Sequence, residues 1–220
     1  MENSITKGFT FCEKTHIGRY NGEIWPSTTQ LLAEFKLIDY SMVPKETLEN
    51  KRILGIRVDA GIRLLDECDL DEEHFNRSFP DAVPFLEAYR KFRVCEKFDM
   101  ADKKVERLVS LKYRFHGQPD EWGTIVTKGP DNYLLDWKCS FKTFAAVGPQ
   151  TAAYSWLMLE CLKIRIKRRF SLLLRPTGTY ELTEFKDPND MQDFLACNFL
   201  WHQRVNKYKT LNPEKLKENA

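Results

Sequence analysis

No C-x-x-C pair occurs in this chain. Its six cysteines, Cys12, Cys68, Cys95, Cys139, Cys161 and Cys197, are scattered, which argues against the closely spaced sets that structural zinc and iron–sulfur clusters use. We read them as free thiols of a reducing compartment. No apolar run approaches the ~20 residues that cross a bilayer, and the first residues lack the cationic-then-apolar pattern of a signal peptide. The expectation is a cytoplasmic protein with no membrane partner. An excess of one charge is lacking too: 34 Lys and Arg against 32 Asp and Glu leave a net charge of +2. An anionic partner must therefore be argued from local clusters. Repeats, low-complexity tracts and an interdomain linker are absent as well, so the 220 residues are expected to form a single domain, 1–220, with its own core.

What is present has a globular balance, with 30% charged and 42% hydrophobic residues. Phe9 and Phe11 alternate ahead of Asn21-Gly22, which predicts a hairpin over residues 8–24. Trp25-Pro26-Ser27-Thr28-Thr29 opens a helix with Ser27 or Thr28 as N-cap. A longer helix from about Lys45 to Cys68 carries Leu48, Ile53, Ile56, Ala60 and Leu64 at helical spacing. Asp69 to Glu73 reads as an acidic break, and Pro80 and Pro84 flank the start of a helix with Phe85, Leu86, Tyr89 and Phe92 on one face. Lys104 to Phe115 alternates as one or two strands. Two apolar runs, Trp122–Val126 and Tyr133–Lys138, flank the turn residues Lys128-Gly129-Pro130-Asp131-Asn132. A helix follows from Pro149, then a hairpin around Pro176-Thr177-Gly178, then a last helix from Asp187-Pro188 to about Lys207. This order predicts an α/β (α+β) fold with a central mixed sheet flanked by helices. It has an N-terminal hairpin and helical part over about 1–100 and a core over about 101–210.

The chemistry concentrates around Tyr133-Leu134-Leu135-Asp136-Trp137-Lys138. Side chains alternate along a strand, so Asp136 and Lys138 share a face. The D/E-x-K spacing recurs elsewhere in the chain and means little alone; taken singly, Asp136 and Lys138 read better as an exposed edge-strand ion pair. Context distinguishes them. An antiparallel hairpin would place Asp120 beside Asp136, and Gln150 and Tyr154 fall four residues apart on one helix face. Two carboxylates offer hard oxygen ligands suited to Mg²⁺ or Mn²⁺. Beside them, a lysine can orient a water or offset charge on a phosphoryl transition state.

Gly117-Gln118-Pro119-Asp120, Asp136-Trp137-Lys138 and Gln150-Thr151-Ala152-Ala153-Tyr154 resemble, in that order, the G-x-x-D, D/E-x-K and Q-x-x-x-Y series of RecB-type nucleases in the PD-(D/E)XK superfamily. Trp25 to Leu32 is similar to the opening of phage exonucleases and of the mitochondrial genome maintenance exonuclease. The resemblance spans about residues 25–185. It implies a restriction-endonuclease-like αβββαβ core, divalent-metal phosphodiester hydrolysis and a DNA substrate. It also implies roles: Asp120, Asp136 and the Trp137 carbonyl as metal ligands, Lys138 as catalytic lysine, Gln150 and Tyr154 as supports, and Glu106 as the acidic residue preceding the G-x-x-D strand. Relatives often carry a metal-binding His at the end of G-x-x-V-H; here Gly55-Ile56-Arg57-Val58-Asp59 ends in Asp59, which can bind Mg²⁺ or can leave that helix without a metal contact. The cysteines of the iron–sulfur subgroup are missing, so no such cluster is expected.

Lys163, Arg165, Lys167, Arg168 and Arg169 form the densest basic run, read evenly as a DNA path or a solvated helix end. Arg52 and Arg57, one to two turns from Asp59, read as helix solvation ahead of a terminal-phosphate role, His116 beside Gly117 as a strand histidine facing solvent ahead of one near the site, and Phe141 and Phe144 as loop anchors ahead of base-stacking groups. The reading is a metal-dependent DNA exonuclease of phage or prophage recombination or repair, working in the cytoplasm, that of the host cell if phage-encoded. A homo-oligomer or a single-strand annealing partner is compatible with it. The alternatives are a structure- or sequence-selective endonuclease on the same core, and a DNA-binding or assembly protein without turnover.

Overall fold

The computed structural model describes residues 7–39, 41–101, 106–140 and 144–208. Lys104, Val105, Phe141 and the tail after Pro213, which the sequence reading also touched, lie outside them. The fold is mixed α/β. Its centre is a five-stranded sheet built from β4 (Phe98–Met100), β7 (Glu121–Ile125), β8 (Tyr133–Cys139), β9 (Arg168–Leu174) and β10 (Tyr180–Phe185), in the order β10-β9-β8-β7-β4. All neighbours are antiparallel except β8 and β9, which run parallel because α5 (Val147–Leu157) crosses between them. With α4 (Val83–Glu96) in front of β4, the chain order αβββαβ is present, interrupted by a small hairpin of β5 (Leu108–Ser110) and β6 (Phe115–Gly117). No described helix is long and apolar enough to cross a membrane.

Strand β8 is apolar on both sides because both sides are covered. Tyr133, Leu135 and Trp137 pack with Phe170, Leu172 and Leu174 of β9 against α2 (Lys45–Asp66) and α4. Leu134 faces the other way, into a cluster with Ala153, Tyr154 and Leu157 of α5, Phe194 and Trp201 of α6 (Asp190–His202), and Leu31 and Leu32 of α1 (Thr28–Glu34). Ser27 caps α1 in a reciprocal capping box with Gln30, as the sequence signals.

The N-terminal segment is a meander of three strands: β1 (Phe9–Cys12), β2 (Ile17–Tyr20) and β3 (Glu23–Trp25). Asn21 and Gly22, both at positive φ, make the tight turn expected of them. The acidic stretch does not end as a break: Asp71 accepts from the His74 backbone N–H and starts α3 (Glu72–Ser78). All six cysteines are free.

Two glycines of α2 have opposite standing. A Cβ on Gly61 would come within 2.7 Å of the Phe75 ring and 2.9 Å of Leu86, whereas one on Gly55 meets nothing within 4 Å. Gly61→Ala should therefore cost about 1–3 kcal/mol through overpacking, and Gly55→Ala should add up to about 1 kcal/mol from helix propensity. Urea unfolding of the two variants measures both; equal effects would contradict this packing of α2 on α3 and α4.

Candidate active site

The β7–β8 hairpin fixes the site. Tyr133 Oη donates to the carbonyls of Lys128 and Gly129, closing the turn, and the ladder pairs Glu121 with Leu135. One step further, Asp120 stands across from Asp136, as the hairpin reading expects. β7 has no ladder residue beyond Glu121, so the Trp137 N–H donates to Asp120 Oδ2 at 3.0 Å instead. A strand residue sends its N–H and C=O to the same edge, so the Trp137 carbonyl opens on the side where Asp120 sits.

Asp136 is fully buried. Its Oδ1 accepts from Gln150 Nε2 at 2.9 Å, and the same amide donates to Tyr154 Oη at 3.1 Å. The Lys138 ammonium lies 2.6 Å from Oδ2, a short charge-assisted contact. Gly117 has to be small here: a Cβ would sit 2.7 Å from both the Tyr154 ring and Thr28 Oγ1. Asp120, Asp136, Lys138, Gln150 and Tyr154 thus come together from β7, β8 and α5, with the Trp137 carbonyl at their edge.

Burial, and then the neighbouring Asp136 charge, push the Asp120 carboxyl up to about 8 against the pull of Lys138. Asp136 is also raised by burial, with Lys138 opposing. Burial acts to lower Lys138, but Asp136 and Asp120 outweigh it and hold the ammonium protonated. Burial raises the Tyr154 hydroxyl further than Asp136 alone would. Glu121, on the opposite face, rises to about 7 by burial.

The donor set fits one hard divalent cation. Two adjacent carboxylates share a single lysine, which pairs with Asp136 Oδ2, and a strand carbonyl opens beside them. Among the described residues no three His, Cys, Asp or Glu side chains form a ready-made metal cluster. Asp59 explains why. It lies on α2 close enough for its charge to raise Asp120, but its Oδ2 accepts from Arg63 Nε at 2.9 Å. Glu106 is exposed, just ahead of β5.

The basic run is divided. Arg168 grips Glu184 through two hydrogen bonds of 2.6 and 2.7 Å, and Arg169 holds Asp190 and the Gly148 carbonyl. Lys163, Arg165 and Lys167 are exposed, but their loop is tied to Asn132. That is four residues, roughly 13 Å along β8, from Asp136. Arg52 and Arg57 pair with Glu49 and Asp81, which fits helix solvation. His116 departs from its reading: it is fully buried, beneath Phe9 and Phe11. Phe144 is exposed. The sequence reading passed over Arg63, whose spacing of four from Asp59 was a legible signal, and Glu121. It also passed over the Tyr89–Asp66–Arg93 network beneath Trp137, which has no local signature.

No family model matches the sequence, and no curated protein matches it. Among solved structures, a Eubacterium rectale protein described as a "Putative exonuclease" is similar over 73% of this chain and 67% of its own, with 14% identity and a TM-score of 0.49. The protein SSO0001 is similar over 74% of this chain and 85% of its own, with 12% identity and a TM-score of 0.33. Neither likeness fixes an activity; the site's own geometry has to carry it.

The Arg168–Glu184 pair gives a pH prediction. Hydrogen bonding to Arg168 holds the Glu184 carboxyl at about 2, below its ordinary 4.5. Its stabilisation is present above about 4.5 and is lost as pH falls toward about 2. Glu184→Gln should lower stability at neutral pH by less than about 1 kcal/mol, as for a partly exposed pair. The difference from wild type should close in acid. A gap as wide at pH 2 as at neutral pH would contradict the pairing.

Proposed function

We propose that this chain is a divalent-metal-dependent deoxyribonuclease that hydrolyses phosphodiester bonds from DNA ends, in recombination or repair. The observation that carries this reading is the Asp120–Asp136–Lys138 arrangement. Two carboxylates are fixed side by side by backbone and Gln150, and a protonated lysine stands 2.6 Å from one of them. A surface ion pair would have neither the burial nor the second carboxylate.

Asp120, Asp136 and the Trp137 carbonyl are the groups that would hold Mg²⁺ or Mn²⁺. What the ion supplies when bound is polarisation of the phosphoryl group and a more acidic water. Gln150 keeps Asp136 turned toward the site and shares its amide with Tyr154. Lys138 keeps its proton, so its ammonium is available to a phosphate oxygen or to the attacking water and offsets charge developing in the transition state. Asp59, bridged to Arg63, adds negative charge near Asp120. The site chemistry supports a phosphodiester substrate; DNA as that substrate, and a homo-oligomer or annealing partner, rest on the sequence resemblance.

The test is incubation with end-labelled linear DNA and closed circular DNA in Mg²⁺, Mn²⁺ or EDTA. The linear molecule should be shortened only with metal, while the circle stays closed. An opened circle would make the chain an endonuclease, and two intact substrates would remove the nuclease reading. Asp120→Asn and Asp136→Asn should abolish metal-dependent cleavage. Lys138→Ala should lower the single-turnover rate by about 10²–10³, the usual loss for one preorganised donor, while DNA binding persists. A Lys138→Ala rate within a few-fold of wild type would reduce the pair to an ornament of the strand end.

A further inference from the structure

Arg107 stands apart from the arginines around the central sheet. Arg63, Arg93, Arg168 and Arg169 each hold a carboxylate. Arg107 makes no ion pair with a carboxylate among the described residues, although it is half-buried. Its guanidinium lies 3.6 Å from the centre of the Phe11 ring, and Nη1 is 3.3 Å from His116 Nδ1. Both contacts are rigid. Phe9 and Phe11 pack on the His116 ring at 5.1 and 5.6 Å, and Gly18 passes so close that a Cβ there would sit 2.3 Å from His116 Nε2. The N-terminal meander and β6 therefore fix the group in place.

That place is at the end of β6 that leads into Asp120. The β5–β6 ladder pairs Leu108 with Gly117, which sets Arg107 across from Gln118, two residues ahead of Asp120. Its charge is felt at Tyr154. Burial lowers the guanidinium from its ordinary value, with Glu13 and Tyr154 acting the other way. A half-buried cation with no ion-paired carboxylate among the described residues is costly to keep, and stacking on an aromatic face offsets only part of that cost. The guanidinium has five donors in a fixed fork, and His116 engages one edge. The rest match a phosphate group.

We propose that Arg107 binds a backbone phosphate of the nucleic-acid strand that passes Asp120 and Asp136. This rests on the nuclease reading and adds to it the first strand contact near the carboxylates, in place of the basic run at the far end of β8. The meander is then a wall of the substrate path and not an appendage.

The experiment is binding of labelled duplex and single-stranded oligonucleotides in EDTA, by anisotropy, from 50 to 200 mM salt. Each phosphate contact contributes about 0.9 to the slope of log K against log salt for duplex and about 0.7 for a single strand. Arg107→Gln, which keeps most of the side chain on Phe11, should lower the slope by one such increment and bind more weakly at low salt. Arg107→Lys should keep the slope and lose affinity, because a point charge replaces a planar fork. If Arg107→Gln does not fold, Arg107→Lys decides: unchanged affinity overturns the proposal. A wild-type protein that binds and cuts DNA, with an Arg107→Gln slope equal to its own, overturns the role of Arg107 and leaves the nuclease reading standing. A wild-type protein that neither binds nor cuts overturns both.

Discussion

The structure turns on one unsatisfied demand of a strand. β8 continues past the end of its ladder with β7, and the N–H of Trp137 has no backbone acceptor on that side. Asp120 supplies the oxygen. A buried N–H without a partner is costly, so this bond fixes a carboxylate where β7 begins, next to a second carboxylate on β8. Like charges side by side away from water disfavour each other's ionisation. The neighbourhood answers with Lys138 on one oxygen and Gln150 on another. The remaining imbalance is one that a hard divalent cation would relieve, and it is the physical reason to read the strand end as chemistry and not as scaffold.

Everything larger serves to hold that strand end. α5 carries Gln150 and Tyr154 and is buried from Val147 to Tyr154, so the two side chains have little freedom. Because α5 also forces β9 to run parallel to β8, the crossover that completes the sheet is the element that supports Asp136. On the other face, Trp137 packs on Tyr89, whose hydroxyl donates to Asp66, which Arg93 holds in turn. Trp137 is thereby clamped by its ring as well as by its N–H. α2 brings Asp59 and Arg63 to the same edge as a pair, which adds charge without adding a free ligand.

The sequence made the central hairpin legible because Lys128 to Asn132 is turn chemistry with a fixed span, and that span sets Asp120 opposite Asp136. The helices α1, α2 and α4 and the β9–β10 hairpin were legible for the same local reasons: caps, prolines and periodicity. Elements whose causes lie elsewhere were not. β4 is three residues long and exists because β7 pairs with it. α3 hides in an acidic stretch until Asp71 is seen as a cap. His116 reads as an exposed strand residue, yet Phe9 and Phe11, more than 100 positions earlier, cover it. Arg168 and Arg169 read as part of a basic patch because Glu184 and Asp190, their partners, lie beyond the pattern of the run itself. Charge patterns report what a segment carries; folding decides how much of it remains available.

The most direct test of the central claim is a crystal structure with Mn²⁺, using its anomalous scattering to locate the ion. The account predicts one peak within coordination distance of Asp120, Asp136 and the Trp137 carbonyl, with Lys138 still beside Asp136. No peak between the two carboxylates at saturating Mn²⁺, or a peak bound only elsewhere on the molecule, would contradict it.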